Sequence, residues 1–180
     1  MHILWTYQDR LKNMKTIKTD VYTYDELSKD AQERARDWYK EIDDLPFLSE
    51  YMQELAVELL EKYGMTECTD IKTFYSLAWC QGDGAMVEFD GTYKGYSVVV
   101  KHEGRYEHYN SKHIDMMDCD GNYVECAIQD AFNADVYVPM CKELERAGYA
   151  YIDAETDNDN VAHNIRANEY TFTADGVRFG

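Results

Sequence analysis

Hydrophobic spacing changes twice along this chain, from helical to extended and back, and that order restricts the fold more than any other feature. Leu27, Ala31, Ala35, Trp38 and Ile42 recur at helical spacing. Ser28 stands where an N-cap belongs, and Asp30 favours the positive end of the helix dipole. A second helix is expected after Pro46, over about 49–63, with Tyr51, Met52, Leu55, Ala56, Leu59, Leu60 and Tyr63 as its apolar stripe and Gly64 as its stop. Residues 72–80, 86–92, 95–102 and 105–110 are instead rich in Tyr, Phe and Val and are separated by glycine-bearing turns, which predicts an antiparallel meander. Helical spacing returns over 122–147, where Pro139 is expected to break or kink the run. A short helix near 158–167 and a last strand over 169–173 complete the pattern. Helices, then strands, then helices define an α+β fold: an antiparallel sheet of about four to five strands, with helices before and after it packed on the sheet.

A chain of 180 residues can bury a core without disulfides or metals, and its 16 tyrosines argue against intrinsic disorder. One domain is expected over 14–180, with residues 1–13 an optional extension because Met14 is itself a candidate start. No stretch approaches the roughly 20 apolar residues of a membrane span, and no secretory signal opens the chain, so a cytoplasmic location is expected. The cysteines Cys68, Cys80, Cys119, Cys126 and Cys141 are odd in number and form no CxxC pair, which reads as reduced thiols. A net charge of −17 repels nucleic acid and anionic membrane; partners selected by charge are basic.

The stretch YSLAWCQGDG, residues 75–84, poses a choice between a reactive loop and a structural turn. Gly82 and Gly84 around Asp83 permit positive φ in a tight connection between two strands, so Gln81, Gly82, Asp83 and Gly84 are read as a turn. A phosphate-cradling loop would need a GxxxxGK[ST] pattern that is absent. Cys80 is a candidate nucleophile if His102 or His108 approaches it, which makes a small hydrolase or nuclease using Cys80, Asp83 and His102 or His108 the alternative from the enzyme class. His102, His108 and His113, together with Asp83 or Asp115, match no zinc spacing. Asp118 and Asp120 before Gly121 resemble a calcium loop, but the EF-hand register puts Met116 and Ala127 where carboxylates are required. No metal or other cofactor is implied.

The arrangement of charge carries more. Between Lys40 and Lys62 stand Glu41, Asp43, Asp44, Glu50, Glu54, Glu58 and Glu61 and no basic residue. Glu50, Glu54, Glu58 and Glu61 are spaced by four, four and three, which on a helix aligns one carboxylate per turn, roughly 6 Å apart. Repulsion at i,i+4 means that helix stability does not account for this rail. A second acidic window, between Lys112 and Lys142, holds Asp115, Asp118, Asp120, Glu125, Asp130 and Asp135. Long single-sign runs resemble the phosphates of a nucleic acid and attract proteins built to hold one. A surface that only maintains solubility, on a structural or regulatory protein, is the third reading.

The segments YTYDELSKDAQERARDWY, YSLAWCQGDG, HEGRYEH and ANEYTFTADG, in this order, resemble a family of small phage and prophage proteins over roughly residues 15–176. The resemblance implies a phage origin and a single domain, and it transfers no catalytic residue. With the charge pattern it leads to the expectation of a non-enzymatic inhibitor of a basic host protein. The partner that phage context favours is a nucleic-acid-binding defence enzyme such as a CRISPR effector nuclease. The expected contacts are Glu50, Glu54, Glu58 and Glu61 with Asp115, Asp118, Asp120 and Glu125.

Overall fold

The computed structural model describes residues 18–42, 45 and 47–180, so the expected extension over 1–13 lies outside the described residues. In chain order the elements are β1 (Tyr22–Thr23), α1 (Lys29–Ile42), α2 (Leu48–Lys62), β2 (Met65–Ser76), β3 (Gly84–Tyr93), β4 (Tyr96–His102), β5 (Lys112–Met117), α3 (Cys126–Phe132), α4 (Val138–Glu155), α5 (Asn158–Ala167) and β6 (Thr171–Phe172). The described residues gather into two compact units, those up to Asp43 with Asn158–Gly180, and those of Asp44–Asp157. Among the described residues no helix is long and apolar enough to cross a membrane.

The larger unit is α+β. Its four strands pair antiparallel in the order β2-β3-β4-β5, with α2 before the sheet and α3 and α4 after it. Lys94 and Gly95, at φ 50° and 86°, join β3 to β4 in a two-residue turn whose positive φ values match the twist of a hairpin. Val87 and Phe89 on β3, Val98 and Val100 on β4, and Ile114 and Met116 on β5 alternate inward and are buried. They share one core with Met52, Ala56, Leu59 and Leu60 of α2 and Met140 and Leu144 of α4. Burial of each large apolar side chain contributes about 1.5–3 kcal/mol by removing it from water. Tyr137 is fully buried as well, and its hydroxyl donates to the Val87 carbonyl at 3.0 Å, which satisfies the one polar atom it carries inward.

The smaller unit packs α1 with α5 and the β1–β6 pair. Tyr24, Leu27, Ala31, Ala35, Val161, Ala162, Ile165 and Phe172 form its core. Ser28 caps α1 as expected, accepting the Ala31 N–H at 3.3 Å. Ile42, read as part of the apolar stripe, is exposed.

Three expectations about elements need correction. Residues 105–110 form no strand; they lie in the loop between β4 and β5, and the fourth strand is Lys112–Met117, whose inward pair Ile114 and Met116 is the true period-two signal. The last strand is shorter than expected, Thr171–Phe172 instead of 169–173, and pairs with β1, Tyr22 opposite Phe172. Finally, helix formation begins at Cys126, after a turn at 118–122, and Pro139 does not end the helical run. A wide π turn, Asn133–Tyr137, precedes it, with the Val138 N–H reaching back five residues to the Asn133 carbonyl. That widening supplies room where the proline ring would otherwise meet the carbonyl four residues earlier.

Candidate functional site

The central YSLAWCQGDG stretch is a hairpin loop of residues 77–83, longer than the tight connection expected, closed by the Ser76–Gly84 pair. Asp83 organises it. One carboxylate oxygen accepts the Ala78 N–H at 2.8 Å, the Cys80 N–H at 2.9 Å and the Tyr149 hydroxyl at 2.6 Å; the other accepts the Ser76 hydroxyl at 3.1 Å and the Cys80 thiol at 3.2 Å. These donors hold the Asp83 carboxyl well below the usual carboxylate range, the Tyr149 hydroxyl foremost. The Tyr149 hydroxyl is in turn pushed up to about 12, first by burial and then by its bond to Asp83.

Gly82 has the positive φ expected of it, 102°, but Gly84 does not. Gly84 is required for a different reason: a Cβ there would stand 2.5 Å from the His108 ring and 3.2 Å from the His108 Cα.

Cys80 is exposed, and its thiol is pushed up chiefly by the hydrogen bond to Asp83, which is the reverse of thiolate activation. The ring-nitrogen hydrogen bonds of the two candidate histidines run within the neighbouring loop. His102 Nε2–H donates to the Tyr106 carbonyl at 3.1 Å while its ring stacks on Phe74, and His108 Nδ1 accepts the Asn110 N–H at 3.1 Å. His113 pairs with Asp115 at 3.1 Å. Among the described residues no group of three or more His, Cys, Asp or Glu side chains is placed to hold a metal ion.

The rail on α2 has the geometry its spacing predicts. Glu50, Glu54, Glu58 and Glu61 are exposed along one face, opposite the buried Met52, Ala56, Leu59 and Leu60. None of the four enters an ion pair among the described residues; Lys62, which ends the window, is bound instead by Glu143. The second acidic segment is placed differently. The Asp118 carboxylate turns back on its own loop, accepting the N–H groups of Asp120 and Asn122 at 2.9 Å each, and Asp115 is half-buried beside His113; Asp120 and Glu125 are exposed. Helix α2 makes its main sheet contacts with β2, and the second segment begins on β5; β2 and β5 are the two edge strands of the sheet, three strand spacings or about 14 Å apart.

Two features went unread in the sequence. Glu88, mid-strand on β3, is nearly buried and is held by Lys72 at 2.9 Å and by the His102 N–H at 3.1 Å; the Lys72 bond most lowers its carboxyl. Trp79 has φ 56°, a conformation a bulky side chain seldom adopts, and it is 66% exposed. The chain matches no protein-family model, no curated protein and no solved structure.

Proposed function

We propose that this protein is a phage-encoded, acidic, non-enzymatic binding protein that occupies the positively charged groove of a host nucleic-acid-binding protein, with helix α2 as the contact. The observation that carries the reading is the row of exposed carboxylates at Glu50, Glu54, Glu58 and Glu61, which meet no cation among the described residues. From the first to the last of them the helix rises about 16 Å. A single strand of B-form DNA sets about five phosphates over that length, so four carboxylates approach its linear charge density. The carboxylates stand on a helix packed on the core, which spares the ordering cost that a flexible acidic tail would bear on binding. In the second acidic segment Asp120 and Glu125 are exposed and available to such a groove, while the carboxylates of Asp115 and Asp118 are engaged within their own segment. The phage resemblance favours a defence enzyme as the target, a CRISPR effector nuclease being a class whose groove is built for a polyanion.

The test is capture from a bacterial lysate on the immobilised protein, followed by elution with either salt or duplex DNA. Nucleic-acid-binding proteins released by both eluents are the expected result. A specifically retained partner that duplex DNA fails to displace and that survives high salt would count against groove occupation.

A further inference from the structure

The loop ordered by Asp83 has one product that the acidic rail does not use. It holds Trp79 at φ 56° with two-thirds of the residue exposed, and it sets the indole against Tyr149 with ring centroids 4.1 Å apart and planes at 37°. Glycine is the ordinary residue for such a backbone, so a tryptophan there is sustained by the hydrogen bonds around it. Elsewhere this chain covers aromatic rings with its own cations: Lys142 lies over Tyr109, Arg166 over Tyr24 and Arg178 over Trp38. Among the described residues none lies over Trp79 or Tyr149. Glu145 and Asp153 stand one helical turn to either side of Tyr149 on α4, while Arg146 is drawn back to the Lys142 carbonyl. The Ser49 hydroxyl meets the Tyr75 hydroxyl at 2.6 Å, which puts the first turn of α2, and with it Glu50, at the same end of the unit as this loop.

We infer that Trp79, stacked on Tyr149 and presented by the Asp83-ordered loop, is an anchor that receives an arginine or lysine side chain of a basic partner. This rests on the proposed reading, which supplies a basic partner, and assigns the short-range contact to a residue outside the rail. An exposed tryptophan face attracts a guanidinium through its quadrupole, and rigid aromatic anchors dominate many interfaces. The neighbouring carboxylates favour a cation and oppose a stacked nucleotide.

The experiment titrates labelled nona-arginine and, separately, a labelled oligothymidine with the full chain, its Trp79→Gly and Trp79→Phe variants, and the Glu54→Lys/Glu58→Lys double variant. Trp79→Gly is expected to weaken nona-arginine binding about five- to tenfold, with Trp79→Phe recovering part of the loss. Its melting temperature is expected not to fall, because glycine adopts this φ freely; a residue with a merely structural role would lose stability instead. Nona-arginine binding within about twofold of wild type in Trp79→Gly, or tighter binding of oligothymidine than of nona-arginine, would overturn the anchor. The double variant separates the two ideas. If it alone abolishes binding, the rail stands and the anchor fails; if only Trp79→Gly weakens binding, the anchor stands and mimicry by α2 fails.

Discussion

Asp83 accepts donors from residues three to seven positions before it and from Tyr149, 66 positions after it. Its lowered carboxyl makes a signed statement about pH: the ionised form is favoured by folding, so the associated stability is present above about pH 4 and is lost as pH falls towards the depressed value. Tyr149 acts with the opposite sign. Its hydroxyl is raised to about 12, so its contribution is complete below about pH 10 and disappears as pH climbs from there. Thermal melts from about pH 2 to about pH 11 are expected to show losses at both ends, and Asp83→Asn is expected to lower the melting temperature at neutral pH and to flatten the acid limb; an unchanged acid limb would mean that the carboxylate does not order the loop. The same bonds govern thiol reactivity. Cys80, Cys119 and Cys126 are all exposed, yet Cys80 alone of these donates to a carboxylate, and Cys141 is buried with its thiol pushed up to about 12 by that burial. Alkylation at about pH 8 followed by mass spectrometry is expected to modify Cys119 and Cys126 first, Cys80 more slowly and Cys141 last, with Asp83→Asn accelerating Cys80. Modification of Cys80 ahead of Cys119 and Cys126 would show that Asp83 does not restrain the thiol. Gly82 and Asp83 made a connection between strands legible in the sequence, but not its length or the packing of Gly84 against His108. The partner Tyr149 was not legible either, because no local pattern relates residues that only the packing of α4 brings together.

Among the elements, the helices were legible because each buries one stripe at a 3.6-residue period, as Met52, Ala56, Leu59 and Leu60 do on α2. The fourth strand was misplaced because Tyr106 and Tyr109 give the 103–111 loop a strand-like composition. Tyr106 is in fact exposed, while Ile114 and Met116 carry the alternation. The π turn ahead of Pro139 left no trace beyond the proline, since the widening is a backbone response to it. The Asp175-Gly176 turn, in contrast, shows how tightly one turn fixes the smaller unit. Gly176 has φ 85°, and a Cβ there would stand 2.2 Å from the Ala31 carbonyl oxygen of α1. Gly176→Ala is therefore expected to destabilise that unit by about 1–3 kcal/mol through strain and displacement of α1. Denaturant titration checks this, and a stability equal to wild type would show that the turn and α1 do not meet as described.

For the whole molecule, charge is the property that composition announces and the fold then distributes. Of the two acidic windows, the first places a continuous exposed face on α2, while the second is partly consumed by its own turn and by His113. Sequence spacing was enough for the geometry of the first because helical geometry is local, whereas the local bonds of Asp115 and Asp118 in the second were not legible, because capping and pairing of carboxylates depend on which residues fold back. Mixed signs on α2 relieve i,i+4 repulsion, so reversing Glu54 and Glu58 to Lys leaves the helix intact. Folding and binding are thereby separable in one pair of proteins. The decisive measurement is a binding titration of wild type and Glu54→Lys/Glu58→Lys against the captured basic partner at low and high salt, with circular dichroism on both. Wild-type affinity is expected to fall steeply with salt, since exposed charges are screened over about 8 Å at physiological ionic strength, and the double variant is expected to lose binding while retaining its helix content. Equal binding by the two proteins, with no dependence on salt, would contradict groove occupation and leave the glutamates of α2 as a solvated face.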